Sequence, residues 1–319
     1  MSATVEKRVA IVGAELQANA YAAALRELPE LRLVGVVGGT YAAHPSEADI
    51  PRFANVGEML EVQGAPDFAL VTTPPGRRRG DVERALRAGV DVLIAPPLAT
   101  RLEDAQALTE LAELTGRELT TASPFRASAG FKRAEQLIRD GAIGELQYLE
   151  INLEHKVDAR TGWRAEPEVS GGGIWMQHGS CALGIAEILA GPVCRLRILE
   201  LESHQSSSVE DQAVVETDHG DGILGRIRLS WNGGSRRPLA LCVGSQGELA
   251  VGYSQLILRV GDAIERIAPG HDAHDALVGS LREHLRRRCA SQPPMDSGPD
   301  RVNWIEAGYR SVRENRWQS

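Results

Sequence analysis

The sequence predicts an α/β protein in two parts. A doubly wound parallel sheet comes first, over residues 1–123, and an α+β domain follows over residues 124–319. Three observations carry this. Short, continuously apolar segments alternate with helix-length segments over the first 120 residues, the pattern of parallel strands covered on both faces. Beyond about residue 126 the alternation gives way to strand-length segments separated by turn sequences, so the second part is mostly antiparallel. A chain of 319 residues is also about two domains long.

Element by element, residues 9–12 form an apolar strand and 16–28 an Ala-rich helix that stops before Pro29. A second strand spans 31–37, a short helix 56–62, and a third strand 68–72, which Pro74-Pro75 stops. Residues 80–88 are helical up to Gly89, and 90–94 make a fourth strand ended by Pro96-Pro97. A helix over 102–115 closes at Gly116 and leads to a fifth strand at 118–121. In the second part, helices cover 131–139 and 174–189, the latter opening just after three glycines. Strands are expected at 146–153, 196–201, 212–217, 223–230, 239–243, 248–251 and 256–260, with turn chemistry at 218–222 and 244–247. Residues 273–289 and 302–314 complete the chain as helices around a Pro-rich loop at 291–299.

The chain carries 35 Lys and Arg against 43 Asp and Glu, a net charge of −8, which argues against a general nucleic-acid binder. No apolar run approaches the ~20 residues of a membrane span, and the start holds no apolar signal core, so a cytoplasmic protein is expected. Cys181, Cys194, Cys242 and Cys289 are scattered, with no zinc-ligand spacing, and are expected to be reduced and mostly buried. No metal site is expected, because Glu15, Glu154 and His155 show no ligand spacing.

A series of short motifs runs in order along the chain: Ala10-Ile11-Val12-Gly13, Val71-Thr72-Thr73-Pro74-Pro75, Ala85-Leu86-Arg87-Ala88-Gly89 and Pro97-Leu98-Ala99. Gly141-Ala142-Ile143-Gly144, Gly162-Trp163-Arg164 and Ser170-Gly171-Gly172-Gly173 follow. In this order they resemble the Gfo/Idh/MocA family of nicotinamide-dependent sugar and polyol dehydrogenases over nearly the whole length. The resemblance implies an N-terminal Rossmann-type domain, a C-terminal α+β domain on a large, mostly antiparallel open sheet, and NAD or NADP as cofactor. It also implies a dimer or tetramer assembled through that sheet.

The family's working positions are altered. A dinucleotide-binding turn needs glycine at three positions. Here Gly13 is followed by Ala14, Glu15, Leu16, Gln17 and Ala18. Ala18 is a tolerated change, but Glu15 brings a carboxylate to where a phosphate would meet amide donors, unless it turns to solvent. The second strand ends in Val37-Gly38-Gly39-Thr40, without the carboxylate that holds a ribose. Gly13, Glu15, Gly38, Thr73, Pro74 and Pro75 are the residues expected to meet a nucleotide, and NAD(P) binding is expected to be weak or absent. The family's acid–base lysine falls on Pro96, and its helix-borne Asp, His and second Asp fall on Gln177, Cys181 and Gly184. A histidine of the third-strand loop falls near Arg78. No catalytic residue is therefore secure.

New chemistry has candidates. His178 and Cys181, three apart on one helix, either form a base and nucleophile or fill the interior. Arg78, within Arg77-Arg78-Arg79, and Arg164 either hold a carboxylate or phosphate or belong to solvated surfaces. Trp163, Trp175 and Trp231 either stack on a sugar-like ligand or pack inside. Arg78, Trp163, Arg164, Trp175 and Gln177 are the expected ligand residues. The expectation is a family homologue with a stripped dehydrogenase site, acting as a non-hydride enzyme or as a ligand-binding or partner subunit. It would take an anionic or sugar-like small molecule and neither nucleic acid nor membrane. The alternative is an NAD(P)-dependent oxidoreductase with rearranged acid–base groups.

Overall fold

The structure, a computed structural model, describes residues 6–13, 15–38, 49–205, 208–234, 237–269, 273–289 and 298–319. The side chains of Glu15, Leu16, Ala273 and residues 287–289 are outside that description. The chain divides into two compact units, Met1–Ala122 with Leu277–Asp300, and Ser123–Ala276 with Arg301–Ser319.

The first unit runs β1 (Lys7–Val12), α1 (Glu15–Arg26), β2 (Leu31–Val37), β3 (Arg52–Phe53), α2 (Val56–Gln63), β4 (Phe68–Val71), α3 (Arg79–Arg87), β5 (Asp91–Ile94), α4 (Leu102–Thr115) and β6 (Leu119–Thr121). The strands form a six-stranded parallel sheet in the order β3-β2-β1-β4-β5-β6. The order turns back on itself at β1, which makes this a doubly wound sheet. Every residue of β4 and β5 is buried, the mark of a central parallel strand. Asn55 caps α2 by accepting from the Glu58 amide at 3.0 Å, and Gly116 ends α4 in the left-handed region at φ 61°. The core joins Val9, Ile11, Phe68, Leu70 and Leu93 to Val278 and Leu281.

The second unit runs α5 (Pro124–Ala127), α6 (Ala129–Arg139), β7 (Leu146–Glu154), a 3₁₀ turn (Gly162–Ala165), α7 (Pro167–Ser170), α8 (Ile174–Ala190), β8 (Arg195–Glu202), β9 (Gln212–Asp218), β10 (Leu224–Ser230), β11 (Ala240–Gly244), β12 (Gly247–Val251), β13 (Leu256–Val260) and β14 (Ala263–Ile267). Then come α9 (Ala273–Cys289), whose residues from Leu277 on belong to the first unit, and α10 (Gly298–Glu314). Eight strands lie in the order β14-β13-β12-β11-β7-β10-β9-β8. Each pair is antiparallel except β7 with β10, which run parallel. In β10 buried and partly exposed residues alternate strictly, so one face carries the core, which includes buried residues of α8.

Two differences from the sequence reading stand out. The division at residue 123 assigns the late helix to the second part, whereas Val278 and Leu281 of α9 pack in the first unit's core. An amphipathic helix satisfies any apolar surface it can reach, and its sequence does not name that surface. The strand β14 also lacks a sequence signal, because an edge strand with exposed side chains has no apolar alternation. The Pro-rich loop at 291–299 lies outside the described residues up to 297, and Gly298 already opens α10.

Candidate functional site

In the first unit the turn after β1 is set by Gly13, at φ 122°. A Cβ there would lie 2.5 Å from both the Thr72 hydroxyl oxygen and the Thr73 amide, so glycine is obligatory for the close approach of β1 to the end of β4. The Thr73 hydroxyl is 3.4 Å from the Val12 carbonyl, to which it donates, and 3.4 Å from Asp81. Gly38 takes φ 73° with open space where a Cβ would stand. Gly39, Thr40 and the Glu15 side chain lie outside the described residues. Pro74 is half-buried and Pro75 buried.

This turn keeps the backbone of a dinucleotide site: a tight glycine after the first strand and the N-terminus of α1 behind it. Gly38 offers no carboxylate to a ribose at the end of β2, and Pro96, half-buried after β5, can neither donate nor accept a proton.

Arg78 corrects an expectation. It is 2% exposed, and its guanidinium donates to main-chain carbonyls: Nε and Nη2 to Thr73 at 2.9 and 2.5 Å, and Nη1 to Ala95 at 2.7 Å and to Pro97. Burial pulls its pKa down to about 9, so it stays protonated at neutral pH. Arg78 thus ties the end of β4 to the Ala95–Pro97 bend; it is scaffold and not a ligand arm. Arg79 is likewise engaged, with Glu83 at 2.7 Å and with Asp104.

In the second unit, α8 enters through Gly171, Gly172 and Gly173. A Cβ on Gly173 would collide with the Glu210 main chain, and one on Gly172 with the Tyr309 hydroxyl. The Ile174 amide donates to the Glu210 carbonyl at 2.9 Å. Glu210 in turn accepts from the Trp175 amide at 3.2 Å and from the Tyr309 hydroxyl at 2.7 Å. Burial raises the Glu210 pKa, and these hydrogen bonds oppose the rise. The small residues are therefore what lets this clamp hold the first turn of α8.

From that turn Gln177, Cys181 and Gly184 follow at helical spacing. Gln177 is 9% exposed, and its Nε2 is buried with no hydrogen-bond partner. Cys181 is half-buried and acts electrostatically on Tyr253. Burial, with Cys181 adding, pushes the Tyr253 phenol up to about 12, and its ring stacks on Phe125 at 5.8 Å. At Gly184 the space of a side chain adjoins the Arg301 guanidinium, which donates to the Ser180 carbonyl at 3.0 Å and to Glu187 at 2.6 Å.

His178 turns away from that row. Its ring packs edge-on against His155, centroids 4.7 Å apart, and against Trp231 at 5.9 Å. Its Nδ1 is buried without a hydrogen-bond partner, while Cys181 acts on Tyr253, so the structure does not join His178 and Cys181 as base and nucleophile. Burial, then His155, then Arg164 pull the His178 pKa down to about 3, leaving a neutral imidazole. Trp175 and Trp231 are fully buried, and Trp175 donates through Nε1 to the Ile305 carbonyl at 2.9 Å. Both are interior packing and not stacking platforms. Trp163 is half-buried, with the Arg164 guanidinium carbon 4.3 Å from its ring centre. Among the described residues no group of three or more side chains could hold a metal ion, and no helix is long and apolar enough to cross a membrane.

Glu210, Tyr309, Tyr253 and Arg301 stand in the sequence without a motif to mark them. Each reaches α8 from a distant part of the chain, and single polar residues in loops and on a terminal helix give no local signal. His155 follows the strand expected at 146–153, and its sequence surroundings show no ligand spacing.

A six-stranded parallel sheet with a glycine turn after β1, joined to an eight-stranded open sheet covered by one long helix, defines a two-domain oxidoreductase scaffold. Residues 7–123 match the family model described as oxidoreductase family, NAD-binding Rossmann fold, and residues 131–250 match the GFO/IDH/MocA C-terminal domain. The chain belongs to the Gfo/Idh/MocA family. It is 28% identical over 233 residues to a dTDP-3,4-didehydro-2,6-dideoxy-α-D-glucose 3-reductase of Streptomyces violaceoruber, covering 69% of this chain and 67% of the relative. It is 26% identical over 289 residues to a D-apiose dehydrogenase of Paraburkholderia graminis, covering 83% and 75%. The crystal structure of an aldose-aldose oxidoreductase from Caulobacter crescentus complexed with glycerol superposes with a TM-score of 0.82 at 22% identity, over 98% of this chain and 99% of that one. That likeness is one of fold.

Proposed function

We propose that this chain is a family member that binds an anionic or sugar-like small molecule through its C-terminal unit and no longer performs the family's ordinary hydride transfer. One observation carries the reading. The three positions that would move a proton hold Pro96, Gln177 and Cys181, while the backbone around them is intact and tightly tied by Arg78 and Glu210. Losing a positioned acid–base group costs about 10²–10⁴-fold in rate. NAD(P), the family's cofactor, is held weakly or not at all, because Gly38 replaces the ribose carboxylate. The test is titration of the purified protein with NADH and NADPH, following nicotinamide fluorescence. Millimolar or absent binding supports the proposal. Micromolar binding with turnover of any aldose or polyol overturns it.

We also propose a cytoplasmic homo-oligomer, a dimer or tetramer, assembled through the second unit's sheet. The face away from α8 supports this with paired charges of both signs, Arg226 with Glu216 at 3.1 Å and Arg237 near Glu154 at 3.8 Å, around a 550 Å³ groove lined by Glu154, Gln212, Val214, Arg228, Ser230 and Arg237. Light scattering of the purified chain decides it: a monomeric mass refutes the assembly.

A further inference from the structure

The parallel pairing of β7 with β10 brings two strand ends side by side. Leu153 pairs with Leu229 and Glu154 with Ser230, so His155 and Trp231 leave the sheet at the same level. Main-chain bonds fix them there: the His155 amide to the Ser230 carbonyl at 3.0 Å, and the Val157 amide to the Trp231 carbonyl at 3.1 Å. Side chains alternate along a strand, so His155 faces opposite to Glu154, toward the side that α8 covers. His178, on the second turn of α8, packs edge-on against both His155 and Trp231. The 3₁₀ turn over Gly162–Ala165 supplies Arg164, half-buried and near enough to act on both imidazoles.

Two features of this patch ask for a ligand. His178 Nδ1 and Trp231 Nε1 are both buried with no hydrogen-bond partner. The indole nitrogen only donates, and a neutral imidazole can present an N–H at Nδ1. Leaving such a group buried and unpaired is costly, so a partner that accepts is favoured. The second feature is the sign of the local charge. Arg164, a permanent cation, acts on both rings. Donors without acceptors beside cation-capable groups are complementary to a group that only accepts and carries negative charge.

We infer that His155, His178 and Arg164, with the Trp231 indole behind them, form an oxyanion site at the C-terminal ends of β7 and β10, so that the small molecule taken by this unit carries a carboxylate or a phosphate. The inference rests on the proposal that the second unit binds a small molecule, and it narrows that molecule to an acidic one. A carboxylate offers about four acceptor positions and a phosphate more, enough for the orphaned donors together with a guanidinium. An uncharged polyol would satisfy the donors one at a time and gain nothing from Arg164.

The test uses the full chain. The ¹⁵N imidazole resonances of His155 and His178 are followed while sodium acetate and, separately, sodium phosphate are added to tens of millimolar at constant ionic strength. Movement of both histidines with at least one anion is expected, and the anion that acts at lower concentration identifies the chemistry. Calorimetry then compares D-glucuronate and D-glucose 6-phosphate with D-glucose. A charged sugar is expected to bind about tenfold or more tightly than D-glucose. Arg164→Gln and, independently, His178→Asn are each expected to abolish that advantage. Imidazole signals unmoved by either anion overturn the inference. Equal binding of D-glucose, or an advantage that survives Arg164→Gln, does so as well. Micromolar NADH binding with turnover would overturn the proposed function while leaving this site standing. Silent imidazoles would remove the site and leave the nicotinamide result untouched.

Discussion

Replacing Arg78 by methionine separates a scaffold residue from a ligand arm. The side chain keeps its length and apolar stem but loses the guanidinium. Three main-chain carbonyls, of Thr73, Ala95 and Pro97, then lose their donor in a site that is 2% exposed. Each buried carbonyl left unpaired costs about 1–3 kcal/mol, roughly 3–9 kcal/mol in sum. Removing a buried cation returns several kcal/mol of desolvation. The net expectation is a loss of about 2–4 kcal/mol. With a urea m-value of roughly 3 kcal/mol/M, the unfolding midpoint falls by about 1 M. Circular dichroism in urea measures this directly. Arg78→Lys should fall between the two proteins, because an ammonium keeps the charge but cannot span the carbonyls as a planar fork does. A methionine variant with an unchanged midpoint and weakened binding of an anionic ligand would refute the scaffold role.

Three further outcomes are expected. Gly173→Ala drives a Cβ into the Glu210 main chain, and should cost more than about 2 kcal/mol in thermal melts, whereas Gly191→Ala, with open space at φ 82°, should cost about 1 kcal/mol. His178 has a folded pKa of about 3, lowered by burial, then His155, then Arg164, against about 6.5 in an unfolded chain. Below that value the unfolded state takes up a proton that the native state refuses, so stability falls as pH drops from 6.5 toward 3, by up to about 1.4 kcal/mol per unit. Urea midpoints at pH 7 and about pH 5 should converge in His178→Gln; equal acid sensitivity in both proteins contradicts the burial argument. Glu15→Gly combined with Pro96→Lys should tighten NADH binding in the fluorescence titration, and an unchanged affinity would show that these two residues do not set it.

The first unit was legible because its signals are local. Four apolar residues in a row at Phe68–Val71, followed by Thr72 and a proline pair, can only be a short buried strand and its stop, and β4 is that strand. Leu31–Val37, Leu102–Thr115 and Ala273–Cys289 stand at the limits their patterns set. The pairing of β7 with β10 was not legible, since alternation marks which face of a strand is buried and not which neighbour it takes or in which direction. The site divides in the same way. The substitutions at Pro96, Gln177 and Cys181 could be read from motif spacing alone. The fate of Arg78 could not, because a buried guanidinium satisfied by three carbonyls and a solvated one at a helix start are written with the same letter. His155 and His178 lie far apart in the chain, and only the parallel strand ends bring them into contact.

Both strands that flank β7 in the sheet, β10 and β11, are synthesised after it. When β7 leaves the ribosome, neither of its hydrogen-bonding edges has a match, and none arrives until α8, β8 and β9 have also been made. Apolar residues such as Ile151 and Leu153 must wait exposed through that interval, the circumstance in which nascent chains associate with one another. The β8–β9–β10 and β11–β14 pairs join near neighbours in the chain, whereas β7 must find both of its partners across the long intervening segment.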